Sequence, residues 1–164
     1  MNEIPDSVQK SVGTAVLASQ NFEHQLVNAY YHLKIVTEGY EISNDKISSG
    51  AIYKIPIRNL VKSLVERTQI EPQLANRIAE LLEKRHTIVH RWLLSTGGLF
   101  QTTDAQWDAL RELSEEVARE SLELSLMLAM KLARYLEIQL NGGQERQLKD
   151  YTAGFFMDST PLYR

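Results

Sequence analysis

Apolar and small residues fall at Val8, Val12, Ala15, Ser19, Phe22, Leu26, Ala29, Leu33 and Val36. Steps alternating between three and four place them on one side of a helix, so residues 7–37 are expected to form one long helix with one buried stripe. Gly39 should end it. Residues 40–54 carry Ser43-Asn44-Asp45 and Ser48-Ser49-Gly50 and read as the longest connection, polar and mobile. A second helix is expected from Pro56 to about Thr68, burying Ile57, Leu60, Val61, Leu64 and Val65. Pro72 opens a third, with Leu74, Ile78, Leu81, Leu82, Ile88, Val89 and Trp92 inside, running to the break at Gly97-Gly98. Thr103-x-x-Gln106 fits a capping box for a fourth, carrying Trp107, Leu110, Leu113, Val117, Leu124, Leu128, Leu132 and Tyr135 as far as Asn141-Gly142-Gly143. A helix that long is expected to bend, or to pack partly on a second copy of the chain. No strand-like alternation or repeat appears. The expectation is an all-α protein: one up-and-down bundle of four to five helices over residues 1–140, then a packed tail over 141–164 with Tyr151, Phe155, Phe156, Leu162 and Tyr163.

A chain of 164 residues suits a single core. The absence of Cys excludes disulfide frameworks, thiol nucleophiles and thiolate metal sites, and fits a reducing cytoplasm. The opening Met1-Asn2-Glu3-Ile4-Pro5-Asp6 does not resemble a signal peptide, and the apolar stretch Leu122–Met130 is too short to span a membrane. The net charge of −3 leaves no global positive field for a polyanion, so any such site must be local. Charge is uneven along the chain. Residues 104–123 carry a net −5, which reads first as a solvated helix face, whereas residues 77–91 carry a net +2 with His86 and His90 alongside.

At ~100° per residue, Arg85 is centred on the apolar stripe of the third helix, with Leu74, Ile78, Leu81, Val89 and Trp92 all within about 40° of it. An arginine aimed at a core must be paired with acceptors or line a wet cleft. Glu23, on the margin of the first helix's stripe, is the candidate partner for a purely structural ion pair. His86 and His90 have the four-residue spacing of a two-histidine metal pair, but no third ligand is evident nearby. His24 faces away from the buried stripe, and His32 suggests no role.

The run Leu81-Leu82-Glu83-Lys84-Arg85-His86-Thr87-Ile88-Val89-His90 resembles the signature of HEPN domains (higher-eukaryote and prokaryote nucleotide-binding). There an Arg, usually followed by Asn, Asp or His, precedes a His by four to six residues. Phe22-Glu23-His24-Gln25-Leu26 in the first helix and Lys54-Ile55-Pro56-Ile57-Arg58-Asn59-Leu60-Val61 before the second agree with it, so the resemblance spans residues 8–138. It implies an RNA substrate, metal-independent endoribonuclease activity without a cofactor, a homodimer with both motifs on a shared cleft, and an antitoxin or nucleotidyltransferase as partner. One subgroup carries a Tyr two residues after the His that such a partner modifies. This chain has Trp92 there, so that modification is not implied at this position.

The residue types suit the implied step, in which a ribose 2′-OH attacks the adjacent phosphate. Arg85 can give two hydrogen bonds to the charge that gathers on the phosphoryl oxygens. His90, whose ordinary pKa of about 6.5 serves either direction, can move a proton. His86 is a secondary candidate, for geometry, a flanking phosphate or a second proton transfer, and Glu23 would orient Arg85. On a straight helix Arg85 and His90 stand ~140° apart, so either the helix deforms between them or two subunits each supply part of the site. Two alternatives remain: a non-catalytic helical interaction module with Arg85 in a structural ion pair, and phosphate-metabolite binding without cleavage, for which Thr96-Gly97-Gly98-Leu99 is too short a glycine loop.

Overall fold

The computed structural model describes the backbone of residues 3–39, 54, 56–67 and 70–139, and the side chains of all of these but 36, 37 and 133–139. Among these residues there are helices and turns and no strand. The expected connection at 40–54, apart from Lys54, and the expected tail at 141–164 lie outside the described residues.

Helix α1 spans Asp6–Glu38. The carbonyl of Pro5 accepts the N–H groups of Val8 and Gln9, and Gly39 closes the other end with φ 62°, its N–H on the Ile35 carbonyl at 3.1 Å. That left-handed conformation is the reason a glycine stands there. Helix α2 spans Ile57–Glu66 and begins, as its proline suggests, directly after Pro56. Helix α3 spans Pro72–His86 and continues without a break into a π turn, Thr87–Arg91, and a single turn of helix, α4, at Trp92–Ser95. Helix α5 spans Asp104–Gln139. Its start is the reciprocal capping box: Gln106 Oε1 accepts the Thr103 N–H at 2.8 Å while the Gln106 N–H reaches Thr103 Oγ1 at 3.4 Å.

The two long helices, about 50 and 54 Å at 1.5 Å per residue, pack along one another and form the body of the molecule. Phe22 and Leu26 of α1 and Val117 and Leu124 of α5 are fully buried between the elements. Buried serines let the backbones approach, and three of their hydroxyls are satisfied inside their own helix: Ser19 on the Val16 carbonyl, Ser114 on Leu110 and Ser121 on Val117, whereas Ser125 Oγ meets no partner among the described residues. The length of α5 is therefore matched by α1 of the same chain, so that length alone does not call for a second copy.

Cross-helix ion pairs set the directions. Lys131 meets Glu71 at 2.7 Å, Arg77 meets Glu120 at 2.8 Å and Lys84 meets Glu116 at 2.9 Å, so α3 and α5 run antiparallel. Arg58 meets Glu83 at 3.3 Å, which does the same for α2 and α3. Glu38 pairs with Arg67 just before α3 begins, and Glu23 pairs with Arg85 near its end, so α1 is antiparallel to α3 as well.

Candidate functional site

Leu74, Ile78 and Leu81 on α3, and Ile88 beyond it, are buried at steps of four, three and seven. Arg85 completes that series, four after Leu81 and three before Ile88, so the regular part of the helix aims it at α1, where Glu23 projects from between Phe22 and Leu26. Arg85 Nε lies 3.8 Å from Glu23 Oε1, and each side chain keeps 25% of its surface exposed. At that separation the two attract but do not hydrogen-bond. The Nε–H is buried, and no acceptor meets it among the described residues. Burial pushes the Glu23 carboxyl above its usual pKa of 4.5, and the Arg85 charge offsets only part of that.

Beyond His86 the helix widens. The Trp92 N–H bonds to the Thr87 carbonyl, an i→i+5 link, and Arg91 departs from helical geometry with φ −112°. Thr87-Ile88-Val89 is a run of three β-branched residues, the least helix-favouring stretch in this part of the chain. Thr87 Oγ1 also bonds back to the Glu83 carbonyl at 3.0 Å, a contact that bends helices. A π turn advances each residue by less than the ~100° of an α-helix. This is the first of the two resolutions left open by the sequence: a deformation of the helix in the interval between Arg85 and His90.

The structure brings His86 and His90 together, their ring centroids 4.9 Å apart and their planes tilted by 49°. His86 is half-buried and His90 exposed. The π turn also rotates Val89, expected on the core stripe, outward to 41% exposure, whereas Trp92 packs partly against the core with its Nε1–H buried and unpartnered among the described residues. Of the other histidines, His24 is exposed as expected, and His32 is half-buried with its pKa pushed below 6.5 by that burial.

Two features beside the motif had no counterpart in the sequence reasoning. Glu83 holds Arg91 of the π turn at 2.5 Å and Arg58 of α2 at 3.3 Å, so one carboxylate clamps two cations next to the site. The helical spacing of Glu83, four after Ala79 and opposite the apolar face, could have suggested an exposed partner but not which one. The second is the turn after α4, which carries a strongly exposed Phe100. The β-branched run was the signal available for the π turn.

Among the described residues no three His, Asp or Glu side chains are grouped to hold a metal ion, and no helix is long and apolar enough to cross a membrane. Chemically, the arrangement offers a guanidinium with an unused donor, a pair of imidazoles and a carboxylate behind the guanidinium. Comparison with known proteins finds no matching family model, no matching curated protein and no matching solved structure.

Proposed function

We propose that the chain is a HEPN-type helical domain that binds RNA and cleaves it without a metal ion, with Arg85 stabilising the phosphoryl charge and His90 transferring a proton. The observation that carries this reading is Arg85 itself. Its buried Nε–H is left without an acceptor by the protein, and the quarter of the side chain that stays exposed is the part that a phosphate from solvent would meet. The π turn supports it, because such turns are rare and recur at functional sites. His86, whose ring lies tilted against that of His90, would hold that ring or meet a flanking phosphate. A homodimer belongs to the proposal as the arrangement that doubles the local positive charge on an acidic chain, in the cytoplasm, with an antitoxin or nucleotidyltransferase as a further partner.

The Glu23–Arg85 pair favours a second reading, a non-catalytic interaction module in which that pair is structural. Three variants separate the two. Under the nuclease reading, Arg85→Lys keeps the charge but loses the two-pronged donor, and cleavage in EDTA falls sharply while melting is unchanged. His90→Ala costs about 10²–10⁴ in rate. Under the structural reading, Arg85→Ala destabilises the fold by ~3–5 kcal/mol and His90→Ala does almost nothing. Wild-type protein that cleaves no RNA, with only the Arg85 variants melting early, would end the nuclease assignment.

A further inference from the structure

Helix α4 and the turn that follows it each carry a strongly exposed apolar side chain on a fixed backbone. Phe100 is 76% exposed and Leu94, on α4, is 82% exposed. The Gly98 N–H bonds back to the Leu93 carbonyl at 2.8 Å, and the Gln101 N–H bonds to the Gly98 carbonyl at 3.2 Å. The buried Thr102 hydroxyl ties the same loop to the Gly98 carbonyl at 2.9 Å and to Thr96 Oγ1 at 3.1 Å. Gly97 and Gly98, at φ 80° and 99°, are what allow this path. The ring is thus presented by a hydrogen-bonded turn rather than by a loose loop, so a partner would lose little entropy on meeting it.

Position gives the partner's chemistry. Leu93, to which the turn is bonded, is one helical turn past His90, and Phe100 is two residues past Gly98, so ring and imidazole are separated by a span that a few nucleotides of an extended strand cover. The segment leading to the ring carries Arg85, His86, His90 and Arg91. Basic and hydrogen-bonding side chains that can meet phosphates, with Arg85 and Arg91 exchanging Glu23 and Glu83 for them, followed by a fixed exposed aromatic ring, are the two components of single-strand recognition.

We infer that Phe100 is a stacking platform for an unpaired base a few nucleotides along the strand from the phosphate that Arg85 engages, which makes the substrate single-stranded at that point; this rests on the RNA reading above. A duplex keeps its bases stacked on one another and has no free face to offer the ring.

The test uses the full chain and a single-stranded 2′-O-methyl RNA of about twelve nucleotides, which lacks the attacking hydroxyl and so cannot be cleaved by this route. It carries one 2-aminopurine, and binding is read by anisotropy and by quenching of that base. Phe100→Ala should weaken binding by about 5- to 100-fold and abolish the quenching, Phe100→Trp should restore both, and the melting temperature should not change. Arg85→Lys should weaken binding but leave the residual quenching in place. Full affinity and quenching in Phe100→Ala, with Arg85→Lys still impaired, would overturn the platform and leave the RNA reading standing. Absence of binding by the wild-type chain at micromolar concentration would overturn both. A wild-type dimer that Phe100→Ala converts to monomer, with RNA affinity unchanged, would give the ring to a second copy and overturn the proposal.

Discussion

The third helix and its continuation are built on opposite principles, although one follows the other without a break. Over Pro72–His86 the backbone is regular, the apolar side chains are buried at helical steps, and Arg77 and Lys84 reach across to Glu120, Glu123 and Glu116 of α5. Over residues 87–100 the hydrogen-bond register slips by one, the helix ends after a single further turn, and Val89, Leu93, Leu94 and Phe100 face solvent. The unmet buried donors of Arg85 and Trp92 lie at or within this boundary. Ser125 Oγ on α5 is a third unmet buried group, but the change of backbone register and the exposed apolar side chains coincide only over residues 87–100, which marks that stretch as one where selection has acted on something besides stability.

The strongest way to break this comparison is to make the second region like the first. A π turn is one extra residue in an α-helix, so deleting Val89, which contributes little to the core, should restore i→i+4 bonding. Helical content by circular dichroism should survive. RNA cleavage should fall about 10²-fold or more, because rotating His90 and everything after it displaces the proposed groups by more than the ~1 Å that already costs that much. Full activity in the deletion variant would show the π turn to be incidental.

Truncation sharpens the same contrast in stability. Ile78, fully buried, should lose ~2–5 kcal/mol on replacement by Ala, read as a lower urea midpoint. Leu94→Ala, a change of similar size on the exposed turn of α4, should stay within about 0.5 kcal/mol. Equal losses would mean that the second region is core after all, covered by something.

The regular region was legible in the sequence and the irregular one was not, for a physical reason. Periodicity reports burial against neighbours on a helix of fixed step, and it placed Leu74, Ile78, Leu81 and Arg85 where the structure has them. Local signals marked the end of α1 and the start of α5, because Gly39 and the Thr103–Gln106 box act through local hydrogen bonds, while the expected stop at Asn141-Gly142-Gly143 lies outside the described residues. The same fixed step misplaced Val89, since the step changes after His86. The Glu23–Arg85 pair was foreseeable because each residue sits on or beside a stripe. The Glu83 clamp on Arg58 and Arg91 was not, because it depends on how α2 lies against α3 and on the backbone of the π turn.

That clamp gives a smaller effect of opposite sign. Glu83→Gln frees Arg91 and Arg58 from an exposed carboxylate, so RNA should bind up to about fivefold more tightly, the modest amount that surface pairs are worth. The dependence of affinity on salt should steepen by about one phosphate contact. An unchanged salt slope would mean that Arg91 takes no part in binding.

The smallest effect decides most directly between the two readings of Arg85. Burial holds the Glu23 carboxyl above its ordinary pKa of 4.5 and outweighs the attraction of Arg85. A carboxyl raised in the folded state contributes stability that is complete below 4.5 and is lost as pH rises through the raised value. His32 acts in the other direction: lowered from 6.5 by burial, it contributes stability present above 6.5 and lost as pH falls through its lowered value. Comparing wild type with Glu23→Gln at each pH cancels the histidine, which both proteins share. The melting temperature of wild type relative to the variant should therefore be higher at pH 4 than at pH 7. The reverse slope would mean that ionised Glu23 is stabilised by Arg85 more than burial penalises it, which is how a structural salt bridge behaves. It would leave Arg85 committed to its own protein rather than available to a phosphate.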